Sequence, residues 1–159
     1  MTIVDLAEGL ALYYHGGQLY GTEPYDVHLR EVIGVIKQYV ELPSPELLSS
    51  GWLHDVLEDC DEANFEEIYA KISPRVAQLV YLVTDGFGPT RKMKKLQMYA
   101  KLASDPEGII LKLADRIANC RRAGKLSMYR EEYPVFKQAL FTHGHATKMW
   151  QELDKLLAP

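Results

Sequence analysis

A chain of 159 residues can bury one proper core, and a composition 47% hydrophobic and 25% charged is that of an ordinary globular protein. The net charge of −4, from 22 acidic and 18 basic side chains, argues against nucleic acid as the main partner, because polyphosphate backbones are held chiefly by Lys and Arg. No apolar run approaches the roughly 20 residues needed to cross a bilayer, and the first residues show no signal-peptide pattern, so the expectation is a cytoplasmic protein without a membrane partner.

In chain order, Val4, Leu6, Ala7, Leu10 and Tyr14 recur at helical spacing and predict an amphipathic helix to about His15. Gly16, Gly17 and Gly21 mark a loop closed by Pro24. A second helix carries Val32, Ile33, Val35, Ile36 and Val40, and Pro43 ends it. Ser44-Pro45 supplies a capping hydroxyl followed by proline at the first helical position, opening a third helix that runs to about Asp59. Asn64 and Glu67 resemble a capping box for a short fourth helix. Ser73-Pro74 opens a fifth, with Val76, Leu79, Val80 and Val83 on its buried side. After Gly86, Gly88 and Pro89, a sixth helix spans about Thr90 to Ala103, and Asp105-Pro106 opens a seventh. A last helix is expected from about Met128 towards Leu157. No segment reads as a strand pair, so the expectation is one all-α domain over 1–159. Cys60 and Cys120 are too few for a disulfide framework.

The chemistry-bearing segment is His54-Asp55-Val56-Leu57-Glu58-Asp59. Spacings of three and four place its imidazole and carboxylates on one helix face, and such a group is costly to bury without a cation. Alone, a His-Asp pair reads as an exposed acidic helix end. The seventh helix, however, also sets a lone acid, Asp115, in an apolar stretch, with Asn119 one turn on. His28 opens the second helix. Two histidines and two aspartates from three helices make a mixed nitrogen and oxygen set, suited to manganese or another first-row divalent ion with open water positions. The stretch Arg91, Lys92, Lys94, Lys95 and Lys101 has no acid among its basic residues. It is either a solvated face or a rim that attracts an anionic small molecule.

These residues resemble a known family. Pro24-Tyr25-Asp26-Val27-His28, His54-Asp55-Val56-Leu57-Glu58-Asp59 and Lys112-Leu113-Ala114-Asp115-Arg116-Ile117-Ala118-Asn119 are similar, in the right order, to the motifs of the HD-domain phosphohydrolases. Within them, the chain looks like the hydrolase domain of RelA/SpoT-type enzymes and the stand-alone small alarmone hydrolases, and His15-Gly16-Gly17-Gln18 looks like the opening segment. The resemblance implies a helical HD-domain fold and one divalent ion, manganese by the donor set, held by His28, His54, Asp55 and Asp115. It implies Glu58 and Asp59 as the catalytic acidic pair, Asn119 as a contact to the ribose, and Arg91, Lys92 and Tyr133 near the substrate.

The implied reaction is removal of the 3′-pyrophosphate from guanosine tetraphosphate or pentaphosphate. Where those hydrolases carry basic residues after the opening His-x-x-Gln, this chain has Leu19-Tyr20-Gly21-Thr22, and Leu29 follows the first ligand histidine in place of proline. Tyr20 could stack on a base instead. A second substrate class therefore stands beside the first: another phosphorylated nucleotide, such as a nicotinamide dinucleotide phosphate (NADPH) or a nucleoside monophosphate. The remaining alternative is a nucleotide-binding module without catalysis, against which the intact Glu58-Asp59 pair speaks.

Overall fold

The computed structural model describes residues 1–159, apart from the side chain of Ala123. It is helical almost throughout: α1 (Ile3–His15), α2 (Asp26–Tyr39), α3 (Pro45–Leu53), α4 (Val56–Asp59), α5 (Phe65–Lys71), α6 (Pro74–Val83), α7 (Arg91–Leu102), α8 (Pro106–Arg121), α9 (Leu126–Leu140) and α10 (Thr147–Leu156). The expected all-α class holds. Helix starts follow local chemistry. Ser44, Ser73 and Asp105 each accept the backbone N–H three residues on, and each precedes a proline at the first helical position. Asn64 caps α5 through the Glu67 N–H at 2.8 Å, but the Glu67 carboxylate turns to Tyr14 and Lys71, so the box is only half closed.

Three expectations are corrected. The loop after α1 contains a two-stranded antiparallel hairpin, β1 (Leu19–Tyr20) and β2 (Glu23–Pro24), with Tyr20 opposite Glu23. Its two-residue turn places Gly21 at φ 62°, the left-handed region glycine enters without a Cβ clash. The expected third helix is two: it breaks at His54 and Asp55, where Asp55 has φ −101° and ψ −5° and α4 restarts with the Asp59 N–H on the Asp55 carbonyl. The expected last helix is also two, because Gly144 (φ 80°) and Ala146 (φ 51°) are left-handed and turn the chain between α9 and α10.

Two apolar clusters hold the helices. One gathers Val32, Ile36, Leu79, Met98, Leu113, Ile117, Phe136 and Trp150 around α8. The other gathers Ala7, Leu29, Leu53, Val56, Ile68 and Val80 beneath α1 and α3. Helix α2 packs on both α3 and α8 and belongs to both clusters. Gly51 lets α3 sit close on α2, since a Cβ there would lie 2.8 Å from Ile33 Cδ1. Among the described residues no helix is long and apolar enough to cross a membrane.

Candidate metal centre and cavity

At the seam between the clusters, α2, the α3–α4 break and α8 bring His28, His54, Asp55 and Asp115 together. One donor atom from each lies within 4.8 Å of all the others. Adjacent residues of a regular helix diverge by about 100°; the break after α3 is what aims His54 and Asp55 at the same point. His54 Nε2 lies 3.0 Å from Asp55 Oδ2 and 3.4 Å from Asp115 Oδ1, and His28 Nε2 lies 3.5 and 3.2 Å from the same two oxygens.

These donors fit a cation. Ligands about 2.1 Å from a common ion are about 3.0 Å apart at a right angle and about 3.4 Å at the tetrahedral angle. His54 Nδ1 faces the Gly51 carbonyl oxygen at 2.8 Å, which makes Nδ1 the donor and turns the Nε2 lone pair inward. That Nε2 is buried and has no hydrogen-bond partner. Burial favours a neutral His54, yet the Asp55 and Asp115 carboxylates outweigh it and hold its pKa well above the usual range. Burial likewise works against the charge on the two acids. His54 holds Asp55 low and Lys112 holds Asp115 low, each well below the usual carboxylate range. The carboxylates that favour a proton on the imidazole are the same ones that would hold a cation in that proton's place.

A ring of neighbours fixes the ligands. The Tyr25 hydroxyl donates to Asp55 Oδ2 at 2.6 Å. Lys112, only 4% exposed, donates to Asp115 Oδ2 at 3.0 Å, and Asn119 Nδ2 donates to Asp115 Oδ1 at 2.8 Å. Tyr20 donates its hydroxyl to Asn119 Oδ1 and lays its ring on the His28 imidazole, centroids 4.7 Å apart and planes 20° apart. Burial pushes the Tyr20 phenol up to about 12, so it stays a donor.

The group lies in the wall of a cavity of about 780 Å³ lined also by Gln18, Tyr20, Glu58, Asp59, Arg91, Lys95, Lys112, Asn119, Arg122 and Tyr129. Glu58 Oε1 accepts the Asp85 N–H at 2.7 Å, and burial pushes its carboxyl up. Gln18 Nε2 donates to Asp59 at 3.0 Å while its oxygen faces His15 Nδ1 at 2.8 Å, which gives the opening segment its place. Arg91 pairs with Glu132, which also meets the buried Arg116 at 3.3 Å.

Of the expected substrate residues, Asn119, Tyr20 and Arg91 reach the cavity. Lys92 and Tyr133 are not among its lining residues. Lys92 faces a neighbouring groove with Leu96 and Met128, and Tyr133 donates to Asp154 at 2.7 Å. In their places stand Lys95, one turn beyond Arg91, and Tyr129, one turn before Tyr133. Their signals were present in the sequence: four-residue spacing from Arg91 for Lys95, and a second tyrosine on the same helix for Tyr129. Arg122 had none, and its guanidinium lies 5.0 Å from the Tyr20 ring centroid between Glu23 and Glu31.

Fold and site together define an all-helical protein with a buried His/Asp group that could hold a metal ion. No protein-family model matches the chain. It is 38% identical over 124 residues to a guanosine-3′,5′-bis(diphosphate) 3′-pyrophosphohydrolase of Aquifex aeolicus, covering 74% of this chain and 17% of that protein. With the enzyme of the same name from Vibrio cholerae it shares 33% over 125 residues, 70% of this chain and 17% of the relative. A solved structure described as a metazoan ortholog of SpoT that hydrolyzes ppGpp superposes with a TM-score of 0.80 at 24% identity, over 98% of this chain and 94% of that one; it shows the shared fold. In sequence the chain is similar to part of these pyrophosphohydrolases, and in fold to the SpoT ortholog. It spans 17% of the length of those curated relatives.

Proposed function

We propose that this chain is a metal-dependent pyrophosphohydrolase that removes the 3′-pyrophosphate of guanosine tetraphosphate or pentaphosphate, giving GDP or GTP. The observation that carries it is the convergence of two buried imidazoles, the buried Asp115 and the half-buried Asp55 at the wall of a cavity that Glu58 and Asp59 also line. The relatives named for this reaction support it. His28, His54, Asp55 and Asp115 would hold one divalent ion, manganese being the choice that suits the donor set. When bound, such an ion supplies acidification of a water and polarisation of a phosphoryl oxygen. We place the chain in the cytoplasm, acting as a single domain on a nucleotide.

Hydrolysis joins the water oxygen to phosphorus, breaks the bond to the ribose oxygen and carries one proton from the water to that oxygen. Glu58 is the base that takes the water's proton. Asp85 N–H occupies one of its oxygens, and burial raises its proton affinity towards the range where a base works well. Asp59, tethered by Gln18, supports it. Arg91, Lys95 and Lys112 line the cavity, and the two lysines, both buried, are cations withdrawn from water, where an anionic group gains most from them. Asn119 lies at the cavity wall as the ribose contact.

A second reading, NADPH or a nucleoside monophosphate as substrate, is favoured by the hairpin, which carries no cation. Against it, Arg122 brings a guanidinium to the same corner from the end of α8. The test is a nucleotide panel incubated with manganese and resolved by ion-exchange chromatography. GDP and pyrophosphate released from guanosine tetraphosphate support the proposal. Phosphate released only from NADPH or a monophosphate moves it to the second reading, and no release at all removes both.

A further inference from the structure

The two histidines of the candidate centre are held in different ways. His54 has the usual tether, a hydrogen bond from its outer ring nitrogen to a backbone carbonyl. His28 lacks it: its Nδ1 is buried without a hydrogen-bond partner among the described residues. What fixes the plane of His28 is aromatic packing. The Tyr20 ring stacks on it at 4.7 Å and 20°, and Tyr25 meets it edge-on at 5.7 Å. The Tyr20 hydroxyl at the same time donates to Asn119, whose amide donates to Asp115 Oδ1 at 2.8 Å. One side chain of the hairpin thus touches one ligand through its ring and another through a relay.

We propose that Tyr20 is a positioning residue of the metal centre, orienting His28 by stacking and Asp115 by way of Asn119, and is not the platform for the base. With His28 against one face and Arg122 over the ring at 5.0 Å, Tyr20 has little face left for a nucleobase. The hairpin is anchored for this duty, since Arg122 bonds Glu23 on β2 at 2.8 Å and Glu31 on α2 at 2.6 Å. The inference rests on the reading of His28, His54, Asp55 and Asp115 as a metal centre.

The experiment is a calorimetric titration of chelator-stripped protein with manganese, for wild type, Tyr20→Phe and Tyr20→Leu, beside melting of the ion-free proteins. Groups that orient metal ligands change affinity by about 10–100-fold when removed. Tyr20→Leu, which loses both contacts, is expected to bind manganese at least about tenfold more weakly. Tyr20→Phe, which keeps the stack and loses the relay, is expected to fall between it and wild type, with its ion-free melting temperature unchanged. Wild-type affinity in both variants overturns the inference while leaving the metal centre standing. A wild type that binds no divalent ion overturns both. Should Tyr20→Leu fail to fold, Tyr20→Phe decides: weakened binding supports the relay and unchanged binding overturns it.

Discussion

Glu58 and Asp59 are neighbours in sequence yet are held by different elements, Glu58 by the Asp85 backbone and Asp59 by Gln18. Neither belongs to the converging donor set. Replacing both by their amides is therefore expected to leave metal content intact and to lower kcat by about a hundredfold or more, the range of lost general-base catalysis. Turnover at saturating manganese reads this out, and retained turnover removes the pair from the mechanism. Two cations of α7 invite a finer test. Lys95 is buried and pairs with Asp85 at 2.9 Å, whereas Lys92 lies outside the cavity. Lys95→Ala is expected to raise KM for the nucleotide by about tenfold, the worth of one charge-assisted bond, and Lys92→Ala to leave it unchanged. Equal effects of the two would contradict the observed register of α7.

Helix α8 carries Lys112, Asp115 and Asn119, so its start matters to the site. Asp105 caps it by accepting the Gly108 N–H at 2.8 Å and is gripped by Arg75 at 2.7 and 3.0 Å. Those Arg75 bonds, more than offsetting burial, hold the Asp105 pKa below its ordinary 3.8. The folded pKa is depressed, so this stabilisation is full above the unfolded value and is lost as pH falls through the folded one. Asp105→Ala is expected to cost about 1 kcal/mol at neutral pH, and the melting temperatures of variant and wild type should converge as pH drops below 3.8. A gap that persists in acid would assign the cost to packing. The Ser-Pro and Asp-Pro starts were legible because a cap and its proline act over four residues. The break at His54 and Asp55 was not, because it serves convergence with α2 and α8, contacts remote in sequence. The hairpin strands, two residues each, are too short to leave an alternating pattern.

Across the whole molecule the site occupies the seam of two apolar clusters, with ligands drawn from α2, the α3–α4 break and α8. The convergence of the four donors was legible in the order and spacing of the motifs, and Glu58 and Asp59, expected as the acidic pair, line the same cavity. Of the five residues expected near substrate, three line the cavity. Tyr133 and Lys92 miss the cavity by one turn or one helix face, which spacing across loops cannot fix, and Arg122 arrives from beyond its motif to meet Glu23 and Glu31. The central claim is that the seam is a single divalent-ion centre. Elemental analysis of protein purified without chelator and loaded with manganese tests it most directly, in wild type and His54→Ala. The account predicts one ion per chain in wild type and loss of that ion in the variant; equal metal content in the two would contradict it.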